Sequence, residues 1–398
     1  MERIIFHIDV NSAYLSWTAV EQLKNGAQQD LRKLNAIIGG NQKSRHGIVL
    51  AKSISAKQYG IKTGEPVANA LRKCPNLVQA APDHKLYSRY SKAMMDFLYT
   101  FTPDIEQVSI DECYIDFTPI ASQYKSPVEA AFVIKDSIYK RFGFTVNVGI
   151  SVNKLLAKMA SDFEKPNKVH TLFPEEIQVK MWPLPISELY MAGHSSVAVM
   201  QKLEIRTIGD LAKADPALLE LHLKSHGRLL WEFANGIDHS EVQSEQMEAK
   251  GIGNSTTLPR DIDRAEDAFK VLDKLSKSVG RRLRAARQKA NMIGVEIKYH
   301  TFQKVSHQRQ FAKATNQDKD LYEAACELFQ ELWNETPIRL LGIRTSKLAE
   351  ESEPEQMNIF EVQNQMKKAK QDEKKRKAEE AMEAIQKKFG YDVIKKGT

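Results

Sequence analysis

Residues 3–10, RIIFHIDV, alternate. Ile4, Phe6, Ile8 and Val10 fall on one side of an extended chain, and Ile5, His7 and Asp9 on the other. Period two predicts a sheet strand whose last outward position is an acid. Asn11 or Ser12 stands where a helix cap belongs, and Leu15, Val20 and Leu23 continue with helical spacing. Short strand and helix signals follow to about Pro82, punctuated by Gly39-Gly40, Gly47, Gly60 and Gly64. A helix with Tyr87, Tyr90, Met94, Phe97 and Leu98 comes next. Two strands are expected within 105–117, a helix near 127–142, a strand at 144–151 and a helix through VNKLLAKMASDF. Residues 183–238 read as helices joined by short turns.

At Gly251 the pattern changes. A strand at 252–257 is followed by a helix at 264–289, strands at 292–299 and 308–312, a helix at 317–335 and a strand at 339–346. This β-α-β-β-α-β order is that of a ferredoxin-like unit. EESEPEQ (350–356) reads as a polar linker leading into a Lys/Glu-rich helical tail. A chain of 398 residues exceeds one ordinary core, so two to four domains of α+β class are expected.

Charge and cysteine content narrow the setting. Residues 251–346 hold 17 Lys/Arg against 12 Asp/Glu, and residues 361–398 hold 11 against 7, within a chain of net charge +7. The basic surplus therefore lies in the C-terminal half, where it suits a polyanionic partner. Cys74, Cys113 and Cys326 have no metal-ligand spacing, which argues against structural zinc and fits a reducing cytoplasm. There is no 18-residue apolar run, and Met1 leads directly into a strand, so neither a membrane span nor a signal peptide is expected.

The candidate chemistry lies in SIDECYID, residues 109–116. Val108 and Ile110 keep the apolar phase on even positions, whereas Cys113, Ile115 and Phe117 keep it on odd ones. Because strand side chains alternate faces, the slip at Asp111-Glu112 signals a turn or bulge. A turn lets adjacent side chains reach one point, and Asp9 can supply a third acid from its own strand. Such an all-oxygen site suits Mg²⁺, and two ions about 3.5–4 Å apart can activate a hydroxyl and stabilise a leaving pyrophosphate. Two adjacent acids taken alone favour a solvated hairpin turn; joined to Asp9 and the rest of the pattern they favour the metal site.

With FHIDVNSAY, AKSISAKQYGIKTGEP, SIDECYID, VGISVNKLLAKMASDFEKPN and LEIRTIGDL in this order, residues 3–346 resemble the bacterial Y-family translesion DNA polymerases, in the DNA polymerase IV branch. The resemblance implies a palm (1–12 and 82–172), fingers (13–81), a thumb with a helix-hairpin-helix (173–240), a ferredoxin-like little finger (251–346), and a linker, clamp-binding peptide and charged tail (347–398). It implies error-prone, template-directed synthesis without proofreading by a monomer acting on primer-template DNA and deoxynucleoside triphosphates. It makes Asp9, Asp111 and Glu112, with the carbonyl of Val10, the ligands of two Mg²⁺ ions. Tyr14 matches the family's steric gate against a ribose 2′-hydroxyl, and Lys165 matches a lysine that meets the triphosphate.

Three places depart from the family. Ile54 stands where a tyrosine commonly reaches the triphosphate, Lys57 where an arginine is usual, and Ala13 where a bulky aromatic is usual. Lysine cannot make the planar two-point phosphate contact of a guanidinium, so Lys52, Ser53 and Lys57 are expected to share that load. Met191 replaces the first glycine of the hairpin and leaves Gly193 as its phosphate-facing residue. Little-finger strands carry Lys298, Lys304, Arg309 and Arg344 as candidate DNA contacts, and Arg281, Arg282, Arg284 and Arg287 crowd one helix. In QMNIF, Gln356, Ile359 and Phe360 fit the peptide that bacterial polymerases insert into the sliding clamp. A catalytically silent clamp- and DNA-binding protein, or another palm enzyme such as a nucleotidyl cyclase, are the competing readings.

Overall fold

The computed structural model describes residues 3–41, 47–245, 249–351 and Glu373. The expected clamp peptide, with Gln356, Ile359 and Phe360, lies outside the described residues, as does nearly all of the charged tail. The chain divides into two compact units, residues 1–248 with 257–261, and residues 249–256 with 262–398.

In the first unit β1 (Ile5–Val10) leads into α1 (Ala13–Lys24). Next come β2 (Ala36–Gly39), β3 (Val49–Lys52), α2 (Ile54–Gln58), α3 (Val67–Lys73) and β4 (Val78–Ala80). These three strands form a small sheet in the order β3-β2-β4. Then follow α4 (His84–Leu98), β5 (Ile105–Gln107), β6 (Glu112–Asp116), α5 (Pro127–Phe142), β7 (Val146–Ser151), α6 (Lys154–Asp162) and β8 (Val169–Thr171). Here β1 is the central strand of a five-stranded sheet, β5-β6-β1-β7-β8. It pairs antiparallel with β6, placing Asp9 opposite Glu112, and antiparallel with β7, placing Asp9 opposite Asn147.

Alternation gives the two sheet faces different jobs. Phe6, Ile8, Cys113, Ile115, Val146, Val148 and Ile150 are buried in one core with Leu15 and Trp17 of α1, Tyr87 and Met94 of α4, and Ile134 and Ile138 of α5. The opposite face carries His7, Asp9, Glu112, Asn147 and Gly149, and α6 packs against β7 and β1. Its approach is close: a Cβ at Gly149 would collide with the Ala157 carbonyl and come within 2.5 Å of Ser161 N. Only glycine permits that distance.

The predicted turn is a hairpin. Residues 108–111 join β5 to β6, and the amides of Val108 and Ser109 donate to the Glu112 carbonyl at 3.1 and 3.3 Å. The expected cap of α1 differs. Ser12 holds the N-cap position at φ 47°, and no side chain caps the helix. Ser16 instead donates to the Asn11 carbonyl at 2.6 Å.

After α6, the first unit closes with α7 (His194–Lys202), α8 (Ile208–Lys213), α9 (Pro216–Leu223) and α10 (Ser225–Ala234). Met200, Ile208, Leu211, Leu219 and Leu230 form a second core here, shared with Leu155, Leu156 and Met159 of α6.

The second unit comprises β9 (Gly253–Ile262), α11 (Ala265–Ala285), β10 (Gln288–Tyr299), β11 (Lys304–Thr315), α12 (Asp318–Leu332) and β12 (Ile338–Glu350). The element order is the expected one, and the strands lie in the order β11-β10-β12-β9. Strands β10 and β11 run longer than their apolar stretches because alternate residues face solvent. Among the described residues, no helix is long and apolar enough to cross a membrane, and all three cysteines are free.

Candidate active site

A cavity of about 810 Å³ opens over one end of the five-stranded sheet. Asp9, the Val10 backbone and Asp111 form one wall; Lys52, Ile54 and Lys57 of the small-sheet segment form another; Tyr14 and Lys165 also line it. Register explains the acidic wall. Val10 N donates to the Asp111 carbonyl at 3.0 Å, so β1 fixes the hairpin end that bears Asp111.

The three acids are neighbours with different partners. Asp9 accepts from Lys165 Nζ. Asp111 Oδ1 accepts from Ser109 Oγ at 2.7 Å. Glu112 Oε2 accepts from Lys158 Nζ at 3.0 Å and lies 3.3 Å from His7 Nε2. Accordingly, among the described residues no three His, Cys, Asp or Glu side chains are arranged to hold a metal ion together. The expected three-acid convergence is therefore a contiguous strip, with Glu112 turned toward His7 and α6.

Electrostatics shows what that strip lacks. Burial and the nearby charges of Asp9 and Glu112 raise the pKa of Asp111, despite the Ser109 hydroxyl. Glu112 is depressed to about 2, because His7 and Lys158 outweigh its burial. At Lys165 burial opposes the charge, but Asp9 and Asp162 prevail and the pKa rises. Asp9 and Asp111, hard oxygen donors on one cavity wall, have the donor chemistry a divalent cation takes, while Glu112 is compensated from behind by His7 and Lys158.

Tyr14 lies at the start of α1, with its ring stacked on Tyr87 at 4.2 Å and 6°. Tyr87 is fully buried, and its hydroxyl lies 3.1 Å from Thr18 Oγ1. Lys52 Nζ donates to Thr63 at 3.2 Å, and burial and then the charge of Lys57 lower its pKa. Ile54 is 55% exposed. Ser53 lines the same cavity and is largely covered. It is 2% exposed, and its oxygen accepts from Ala56 N, as the cap of α2, and from Ala36 N, each at 3.1 Å.

Asn147 was not singled out from the sequence, and Asn11 was expected only as a helix cap. Asn147, 0% exposed, donates to the Ser161 and Glu164 carbonyls at 2.9 and 2.7 Å and accepts from Asn11 at 3.0 Å. Asn11 in turn accepts from Asn167 N at 2.9 Å, so the pair ties the Lys165 loop to the sheet. The signal was available: an amide inside the apolar run FTVNVGIS needs buried partners.

The DNA-contact candidates divide. Lys298 is opposite Lys304, and Arg344 opposite Gly294, so these three share the sheet face away from buried Val295 and Ile297. Lys304 pairs with Glu296 at 3.2 Å. Arg309 is opposite Ile293, on the helix side, and binds Glu327 and Glu331 of α12. It is not presented with the others. Gly193 caps α7 at its N-terminus, and Met191 holds the left-handed conformation, φ 66°, that a glycine would adopt freely.

Paired sheet acids facing a cationic wall across one cavity define a fold built for phosphoryl-transfer chemistry. Residues 8–162 match the impB/mucB/samB family, and residues 249–359 match that family's C-terminal domain. A DNA polymerase IV of Clostridium acetobutylicum is 46% identical over 394 residues, covering 99% of this chain and 97% of the relative. A DNA polymerase IV of Bacillus velezensis is 36% identical over 397 residues, covering 99% and 92%. A solved Y-family DNA polymerase chimera, 23% identical, shares the fold with a TM-score of 0.76 over 87% of this chain and 99% of that one. The chain belongs to the impB/mucB/samB family of Y-family polymerases, in its DNA polymerase IV branch.

Proposed function

We propose that this DNA-directed DNA polymerase of the translesion class extends primers by two-metal-ion nucleotidyl transfer, without proofreading, as a cytoplasmic monomer recruited by the sliding clamp. The observation that carries the reading is the single cavity in which Asp9 and Asp111 face Lys52, Lys57 and Lys165. Asp9, Asp111, Glu112 and the Val10 carbonyl would hold two Mg²⁺ ions, which supply an activated 3′-hydroxyl and a neutralised leaving pyrophosphate when bound.

The chain's own residues do the rest. Lys165 sits on Asp9 and, at 2.7 Å, on Asp162; it serves as the amine that transfers to the triphosphate once nucleotide enters. Lys52 and Lys57 receive the outer phosphates as point charges. The ring of Tyr14, backed by Tyr87, closes the sugar side and excludes a 2′-hydroxyl. Positioning and fixed charge account for the catalysis. In the domain reading, residues 1–12 and 82–172 act as palm, 13–81 as fingers, 173–240 as thumb and 251–346 as little finger. Gly193, Lys298, Lys304 and Arg344 hold the primer-template through its phosphates, without reading sequence. Gln356, Ile359 and Phe360 insert into the clamp.

Primer extension with Mg²⁺ on plain and abasic templates is the test. Asp111→Ala should lower template-directed extension by at least about 10²–10³-fold, the scale of losing one preorganised charge contact. Extension that survives the substitution, or turnover of free nucleotide without template, would overturn the reading. Deleting 356–360 should abolish clamp-stimulated synthesis and spare distributive synthesis; equal loss of both would refute recruitment through that peptide.

A further inference from the structure

Glu112 stands apart from the other two acids because its contacts come from behind. Lys158 Nζ donates to the carboxylate oxygen Oε2 at 3.0 Å, and His7 Nε2 lies 3.3 Å from the same oxygen without making a hydrogen bond. Among the described residues no hydrogen bond ends on Oε1. The Lys158 side chain is 15% exposed, on the helix that Gly149 admits against the sheet. His7 is 1% exposed, and its Nδ1 lies 2.8 Å from Ser161 Oγ, one turn along α6 from Lys158. Both partners are thus anchored to packed elements, and they leave Glu112 one oxygen to offer.

We propose that Lys158 is a positioning residue: it grips Oε2 of Glu112 so that Oε1 is presented to a divalent cation beside Asp9 and Asp111. The inference rests on the reading of Glu112 as a metal ligand. Partners behind a ligating group fix its orientation, and removing one typically weakens metal binding about 10–100-fold. The alternative role for a buried lysine beside acids is plain charge balance. That role has the opposite sign, since an ammonium near the site repels a cation and its removal tightens binding.

The experiment uses the full chain bound to primer-template ending in a dideoxynucleotide, with the matching deoxynucleoside triphosphate, so that no bond forms. Manganese is titrated and counted by electron paramagnetic resonance of the free ion. Lys158→Met keeps the buried stem and removes the grip; it should weaken one bound Mn²⁺ by about 10–100-fold. Lys158→Gln also removes the charge but keeps a donor for Oε2, and should stay within about threefold of wild type, on the scale of a retained hydrogen bond. Met and Gln variants that behave alike, or Mn²⁺ binding that is unchanged or tighter in Lys158→Met, would overturn the proposal. Should Lys158→Met not fold, the Gln variant decides: tighter binding there overturns it, and near-wild-type binding supports it. Glu112→Gln separates the two levels. If it keeps both ions, the reading of Glu112 as a ligand fails; if it loses an ion that Lys158→Met retains, only the positioning role fails.

Discussion

The acid wall is built on strands paired across more than a hundred residues of chain, with Asp111 on the hairpin turn that joins them, whereas the cations facing it stand at the end of the short strand β3, on a five-residue helix and on a loop. Asp9 and Glu112 are register partners, flanked by a full core on one face and by α6 on the other. Lys57 is exposed on α2, and Ile54 beside it is 55% exposed. A carboxylate on the sheet cannot be moved without repacking its neighbours, while a fingers side chain can be exchanged with little cost to the fold. Every departure from the family pattern in the nucleotide pocket, Ala13, Ile54 and Lys57, lies on the α1 and α2 side. None falls among the acids.

The contrast can be broken most forcefully from the rigid side. Gly149→Ala places a methyl against the Ala157 carbonyl. It should destabilise the first unit by about 3 kcal/mol, the upper part of the usual cost of overpacking, read as a lowered urea midpoint. A midpoint unchanged within error would mean that α6 yields, and that the acid wall is softer than its packing implies. On the adaptable side, Lys57→Arg restores a forked donor and should lower the nucleotide KM about three- to tenfold, the worth of roughly 1 kcal/mol of charge-assisted bonding, with kcat little changed. A KM that does not fall would show that Lys52 and Lys165 already carry the phosphates. The smallest effect is expected at the thumb turn. Because Met191 already holds φ 66°, Met191→Gly should leave DNA affinity within about twofold and raise stability by no more than about 1 kcal/mol, the strain relieved being partly offset by the flexibility glycine adds to the unfolded chain. A large gain in affinity would instead mark the Met191 side chain as an obstacle to phosphate.

Much of the acid wall was legible in the chain because the slip of alternation at Asp111 and Glu112 is a local signal, written in adjacent residues. The partners of Glu112 were not legible. Lys158 lies 46 residues away, on a helix whose distance from the sheet depends on a missing side chain at Gly149. The sidedness of Arg309 was recoverable in principle. Its strand begins at Lys304 rather than 308, and counting back through the turn sets Arg309 against Ile293, on the apolar phase of β10. Reading only the middle of that strand hid the parity. Ser53 was expected only to share the phosphate load, and its place before α2 also makes it that helix's cap. Its oxygen accepts from two backbone amides and lies 3.1 Å from Ser55 Oγ, so the cap and the small sheet fix where the hydroxyl sits.

Helix α6 is packed on two sides. One side rests on the five-stranded sheet through Gly149, and the other buries Leu155, Leu156 and Met159 among the helices from α7 to α10. It therefore works as a shared beam, clamped along both edges and without slack at its tightest point. Loosening the helical bundle, by truncating Met200 for instance, would be felt at Glu112 through Lys158 before any reacting group had been touched.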